Sequence, residues 1–135
     1  MDAKVAWKGT GMEFTGIADK GFSVDMGSKG EDGPTPTEML LMGLGGCTGM
    51  DCILVLTKKK QQVTGFEIKI HGEKAETYPQ KFVKIEMEYI FTGHGLDPKK
   101  VERAVDLSSN KYCSVKGSLD PAIEFVVTTT VREAE

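Results

Sequence analysis

Positive charge is scarce in this sequence. Seventeen lysines and arginines stand against 20 aspartates and glutamates, for a net charge of -3 and a pI near 5.5. That balance offers no basic surface to a phosphate backbone, and the run Lys58, Lys59, Lys60 is too short to alter it, so a nucleic acid partner is not expected. Long apolar runs are also missing. The longest uncharged stretch, residues 39–50, lies between Glu38 and Asp51 and falls short of the roughly 20 residues that cross a bilayer, so no membrane role is expected. The first residues, MDAKVAWKG, carry Asp2, Lys4 and Lys8 without an apolar segment, which does not resemble an export signal. A cytoplasmic location follows as the expectation.

Cysteine and histidine are few. Cys47, Cys52 and Cys113 make an odd number, which argues against a structural disulfide framework and leaves reactive or buried thiols. His71 and His94 are isolated, with no cysteine or histidine at ligand spacing, so no metal site and no bound cofactor are expected.

What is present reads as one α+β domain over residues 1–135. Residues 4–8, 12–17 and 22–26 have the composition of three short strands, a small N-terminal meander. The glycine-rich polar stretch 27–34 reads as an exposed loop. From Pro36 to about residue 60 the pattern is helical, with Pro at the first turn, Glu38 where the dipole is positive and three lysines where it is negative. Apolar residues nearly encircle this segment, which predicts a central, buried helix. Strict alternation then marks two strands, Phe66, Ile68 and Ile70 followed by Val83, Ile85, Met87, Tyr89 and Phe91. Asp97 and Pro98 open a second helix running toward Tyr112, with Cys113 at its end. Ile123, Phe125, Val127 and Val131 form the closing strand. So few elements cover an all-round apolar helix poorly, so a homodimer is expected to bury its remaining face.

Within the long helix, the run GLGGCTGMDC sets Gly43, Gly45, Gly46 and Gly49 around Cys47. Each costs roughly 0.5 to 1 kcal/mol of helix stability relative to alanine, so the pattern serves close packing or access to the thiol. Residue spacing leaves both readings open. Cys52, about 140° around the helix from Cys47, reads as core filler that does not pair with it.

The string PTPTEMLLMGLGGCTGMDC, followed by AVDLSSNKYCSV, resembles the OsmC/Ohr family of organic hydroperoxide reductases and within it the YhfA-like branch. The likeness covers nearly the whole chain. It implies the OsmC-like fold, an intertwined homodimer with its site at the subunit interface, and a peroxidatic role for Cys47 with Cys113 as the resolving cysteine. The implied activity is a thiol-dependent peroxidase: Cys47 takes up an oxygen from an organic hydroperoxide, Cys113 condenses with it to a disulfide, and an external dithiol reductant restores both. An apolar surround from Met39, Leu40, Leu41, Met42, Leu44 and Met50 suits alkyl hydroperoxides. The resemblance also implies a catalytic role for Glu38, matching the family's glutamate that supports the activating arginine, although it comes one residue later than in the family pattern and about 180° around a regular helix from Cys47. The family's activating N-terminal arginine has no counterpart, because the arginines are Arg103 and Arg132. Lys4, Lys8, Lys20 and Lys29 are the cations available in that region. The competing reading is a redox-sensing or apolar-ligand-binding protein on the same fold.

Overall fold

A computed structural model describes residues 1–31 and 33–135. Asp32, in the expected loop 27–34, lies outside the described residues. The chain divides into two compact units, 1–42 and 43–135.

In the first unit, β1 (Ala3–Trp7), β2 (Phe14–Ala18) and β3 (Ser23–Met26) form an antiparallel meander in that order. The register pairs Val5 with Gly16 and Gly16 with Val24, and Trp7 with Phe14 and Phe14 with Met26. Side chains alternate across a strand, so these apolar residues share one face. Val5 and Trp7 remain exposed on it. The indole of Trp7 donates to the Gly11 carbonyl at 3.0 Å and closes the first hairpin.

The long helix α1 (Pro36–Lys58) begins in this unit. Thr35 Oγ1 accepts the Glu38 backbone N–H at 3.2 Å, and a Glu38 carboxylate oxygen accepts the Thr35 N–H at 2.9 Å. This reciprocal capping box, with Pro36 at the first helical position, is why the helix starts there.

The second unit holds the rest of α1, β4 (Gln62–Lys74), β5 (Phe82–His94), α2 (Pro98–Leu107), a π turn (Ser108–Tyr112), the short α3 (Ser114–Gly117) and β6 (Glu124–Glu133). Its sheet has the order β4-β5-β6, antiparallel between β4 and β5 and parallel between β5 and β6. A parallel neighbour requires a crossover, which the α2 to α3 segment supplies. Register aligns Ile68 with Tyr89 and Thr129, and Ile70 with Met87 and Val127. These rows make the packed face, with Met87, Tyr89 and Phe91 buried. Phe66 stacks on Phe91 at 4.1 Å between ring centres.

Two expectations are corrected here. The long helix is not buried all round: within this chain α1 buries Leu44, Thr48, Cys52 and Leu56, one residue per turn, while Met42, Met50, Ile53 and Leu54 are exposed. Counted with its acidic residues Glu38 and Asp51, α1 is also long and apolar enough by length and composition to cross a membrane, which the count of uncharged residues missed. One stripe of it is buried, and Gly45 and Gly49 face side chains of β4. The second helix does run to Tyr112, but its last five residues take π geometry. Ser108 Oγ donates back to the Ala104 carbonyl at 2.7 Å, and the Cys113 N–H reaches the Ser108 carbonyl at 3.0 Å, five residues back. Back-bonding by a helix serine competes with the regular ladder, and the chain widens into a π turn.

Candidate active site

The four glycines around Cys47 separate into two kinds. A Cβ on Gly45 would meet Ile70 Cδ1 at 2.7 Å, and one on Gly49 would meet Ile68 and Phe66 side chains at 3.6 Å. These two let α1 sit close on β4. A Cβ on Gly43 or Gly46 would meet nothing within 4 Å, so this chain alone gives no packing reason for them. Cys47 lies on the flank of the buried stripe and is half-buried.

Cys113 is buried and caps α3: its sulfur accepts the Lys116 backbone N–H at 3.4 Å. It stands at the end of the π turn, near enough to Cys47 on α1 for that thiol to act on its charge. Burial pushes the Cys113 thiol up, the Lys116 N–H draws it back, and the neighbouring Cys47 pushes it up further. All three cysteines are free thiols.

Cys52 is wholly inaccessible, with its sulfur 3.9 Å from the Ala104 carbonyl. Burial pushes its thiol up to about 11 against the opposing hydrogen bonds of Ser108 and Thr48. Beside it, Thr48 Oγ1 and Tyr89 Oη are 3.0 Å apart, and the phenol also points to Met87 Sδ at 3.9 Å. Burial pushes Tyr89 up to about 12. The thiols therefore rest on a small, internally satisfied polar layer. Asp51, one helical turn after Cys47, has one carboxylate oxygen that is inaccessible and without a hydrogen-bond partner among the described residues.

Lys116 stands on the Cys113 side. Its ammonium donates to Ser109 Oγ at 3.1 Å and to Asn110 Oδ1 at 3.0 Å, and lies 4.6 Å from the centre of the Phe125 ring. Glu38 is held in the capping box, and the Thr35 hydrogen bonds keep its carboxyl below the usual range. Of the N-terminal lysines, Lys8 pairs with Asp25 at 3.4 Å. No group of three potential metal ligands occurs among the described residues.

Cys47 and Cys113, singled out from sequence, are thus brought together. Sequence reasoning missed Thr48, Tyr89, Ser108 and Lys116. Tyr89 had a signal, since the strand alternation put it on the core face and a buried phenol needs a partner. Lys116 had a weaker one, three residues beyond a cysteine that turned out to be a cap.

Known proteins resemble this chain in sequence and in fold. The family model described as OsmC-like protein matches residues 28–128. The chain is 40% identical over 124 residues to Protein YhfA of Escherichia coli strain K12, covering 91% of this chain and 92% of that one. A hypothetical protein from Aquifex aeolicus VF5 superposes with a TM-score of 0.90 at 29% identity, over 99% of this chain and 97% of the other. The organic hydroperoxide resistance protein OhrB of Bacillus subtilis shares the fold at 18% identity, with a TM-score of 0.58 over 99% of this chain and 98% of its own.

Proposed function

Because this chain belongs to the OsmC-like protein family, we propose that it is a thiol-dependent peroxidase that reduces organic hydroperoxides to alcohols. The observation that carries the reading is the nearness of Cys47 and Cys113, two free thiols from separate elements, the first of which acts on the charge of the second. In the first step the Cys47 thiolate attacks the terminal peroxide oxygen. A sulfur–oxygen bond forms, the oxygen–oxygen bond breaks, and the alkoxide leaves and takes a proton as the alcohol. In the second, the Cys113 thiolate attacks the Cys47 sulfenic acid, forming the disulfide and expelling hydroxide, which leaves as water. An external dithiol then reduces the disulfide by exchange.

The flanking residues suit an alkyl rather than a small polar substrate. Gly43 and Gly46 leave open space beside Cys47, and Met42 and Met50 are exposed on the same helix. A hydroperoxide resistance protein on this fold, OhrB, is consistent with the chemistry. We further propose that the working form is a homodimer, in which a second copy covers the exposed apolar face of α1, and that the protein works in the cytoplasm, where its thiols stay reduced.

One observation favours a second reading. Burial pushes the Cys113 thiol up, which disfavours the attacking thiolate and suits a sensor that reacts once. Turnover decides between them. With excess cumene hydroperoxide and a dithiol, an enzyme consumes many equivalents per chain and Cys47→Ser abolishes consumption; a sensor stops after one equivalent. Consumption unchanged by Cys47→Ser removes both readings.

A further inference from the structure

Lys116 binds together the parts of the molecule that present Cys113. Its ammonium holds Ser109 and Asn110 of the π turn at 3.1 and 3.0 Å, its head lies over Phe125 of β6, and its backbone N–H meets the Cys113 sulfur at 3.4 Å. One residue thus spans the turn before the thiol, the helix after it and the strand beyond. The arrangement has a cost, since a half-buried ammonium gives up hydration. Desolvation accordingly lowers Lys116, while the negative charges of Cys113 and Asp106 favour its ammonium form. A buried cation is retained most readily where a negative charge develops beside it.

We infer that Lys116 is the positioning residue of the resolving step: it holds the π turn and Cys113 so that this sulfur stays against Cys47, and supplies positive charge where the attacking thiolate forms. The inference rests on the proposed peroxidase reading for its chemical setting, and it separates the two steps. Formation of the Cys47 sulfenic acid needs no help from the π turn. The attack of Cys113 on that sulfur does. Replacing Lys116 with methionine keeps an apolar side chain over Phe125 but removes the charge and both hydrogen bonds to the turn.

The experiment is stopped-flow oxidation of the reduced full chain by one equivalent of cumene hydroperoxide. Sulfenic acid is trapped by dimedone, and the Cys47–Cys113 disulfide is followed by mass spectrometry. Lys116→Met is expected to leave the first step at the wild-type rate, to slow the second about tenfold or more and to accumulate trapped sulfenic acid, as loss of charge-assisted hydrogen bonds implies. Lys116→Arg is expected to restore most of the rate, and Ser109→Ala with Asn110→Ala to slow the second step while keeping the charge. An unchanged second step in Lys116→Met, or an equal loss in Lys116→Arg, overturns the inference. Diamide, which oxidises the thiols to the disulfide without a peroxide, is the parallel probe. If hydroperoxide leaves the wild-type thiols untouched, the peroxidase reading fails by itself. Lys116→Met must still form the disulfide more slowly with diamide, and an equal rate there also overturns the inference.

Discussion

The Cys113 thiol lies near enough to Cys47 to be pushed up by it, although 66 positions separate the two in the chain. Cys113 stands between the π turn and α3, whose first turn it caps. One equivalent of an organic hydroperoxide should therefore convert the reduced chain to a single species with a Cys47–Cys113 disulfide and one remaining thiol, Cys52. Peptide mapping of the oxidised chain checks this. In Cys113→Ser the sulfenic acid at Cys47 should persist and be trapped by dimedone; a Cys47–Cys52 disulfide instead would contradict the helix geometry, which puts those residues about 140° apart.

Gly46 tests the homodimer. An alanine there meets nothing within this chain, so in an isolated protomer it should stabilise α1 by about 0.5 to 1 kcal/mol. Against a second copy seated on the helix, the added methyl should overpack the contact by about 1 to 3 kcal/mol. We expect the second effect: Gly46→Ala should dissociate the dimer at concentrations where the wild type stays associated, as sedimentation velocity on dilution reports. Gly93→Ala is the contrasting control. Its Cβ would be driven into the Gln62 carbonyl of the neighbouring strand, so it should destabilise the fold itself.

Thr48 and Tyr89 form a buried hydroxyl pair at 3.0 Å. Tyr89→Phe removes one partner and should cost about 1 to 2 kcal/mol in urea unfolding, since it leaves a buried hydroxyl short of a hydrogen bond. Thr48→Val should cost a similar amount. The double variant should cost less than the sum of the two singles, because nothing polar is then left unpaired. Strict additivity would show that the pair is not coupled.

Alkaline pH should weaken the fold through Cys52. Its thiol rises from an ordinary 9.0 to about 11 in the folded chain, so above pH 9 the unfolded chain releases a proton that the folded chain keeps. The associated stability is complete below pH 9 and is lost as pH climbs toward about 11, on the order of 2 kcal/mol in all. Tyr89, raised from 10.0 to about 12, acts with the same sign at higher pH. Urea midpoints between pH 8 and 11 should fall in the wild type and fall less steeply in Cys52→Ala, after allowance for the smaller side chain. Parallel slopes would remove Cys52 as the cause.

Much of this architecture was legible before any coordinates. The alternation around Ile68 and Met87 and the helix start at Pro36 are local signals, and they mark the observed elements. The strands ran longer than their apolar cores suggested, because the charged residues between them occupy the other face of the same sheet. The helical pattern over residues 98–112 was legible, but its widening into π geometry after Leu107 was not, since the Ser108 back-bond depends on geometry within the turn. The exposure of Met50 and Leu54 was not legible either: an all-round apolar helix does not announce which side a single chain covers.

From the sequence alone came the two candidate cysteines, through the family resemblance, and the faces of the elements that carry them, through periodicity set by neighbouring residues. Tertiary structure decided what those residues touch. The meeting of Cys47 with Cys113 depends on the parallel addition of β6 to β5 and the crossover that this requires, and pairing order between distant strands leaves no periodic trace. The grip of Lys116 on Ser109 and Asn110 has the same origin. It exists because a π turn folds back over a strand, a relation between surfaces rather than between neighbours in the chain.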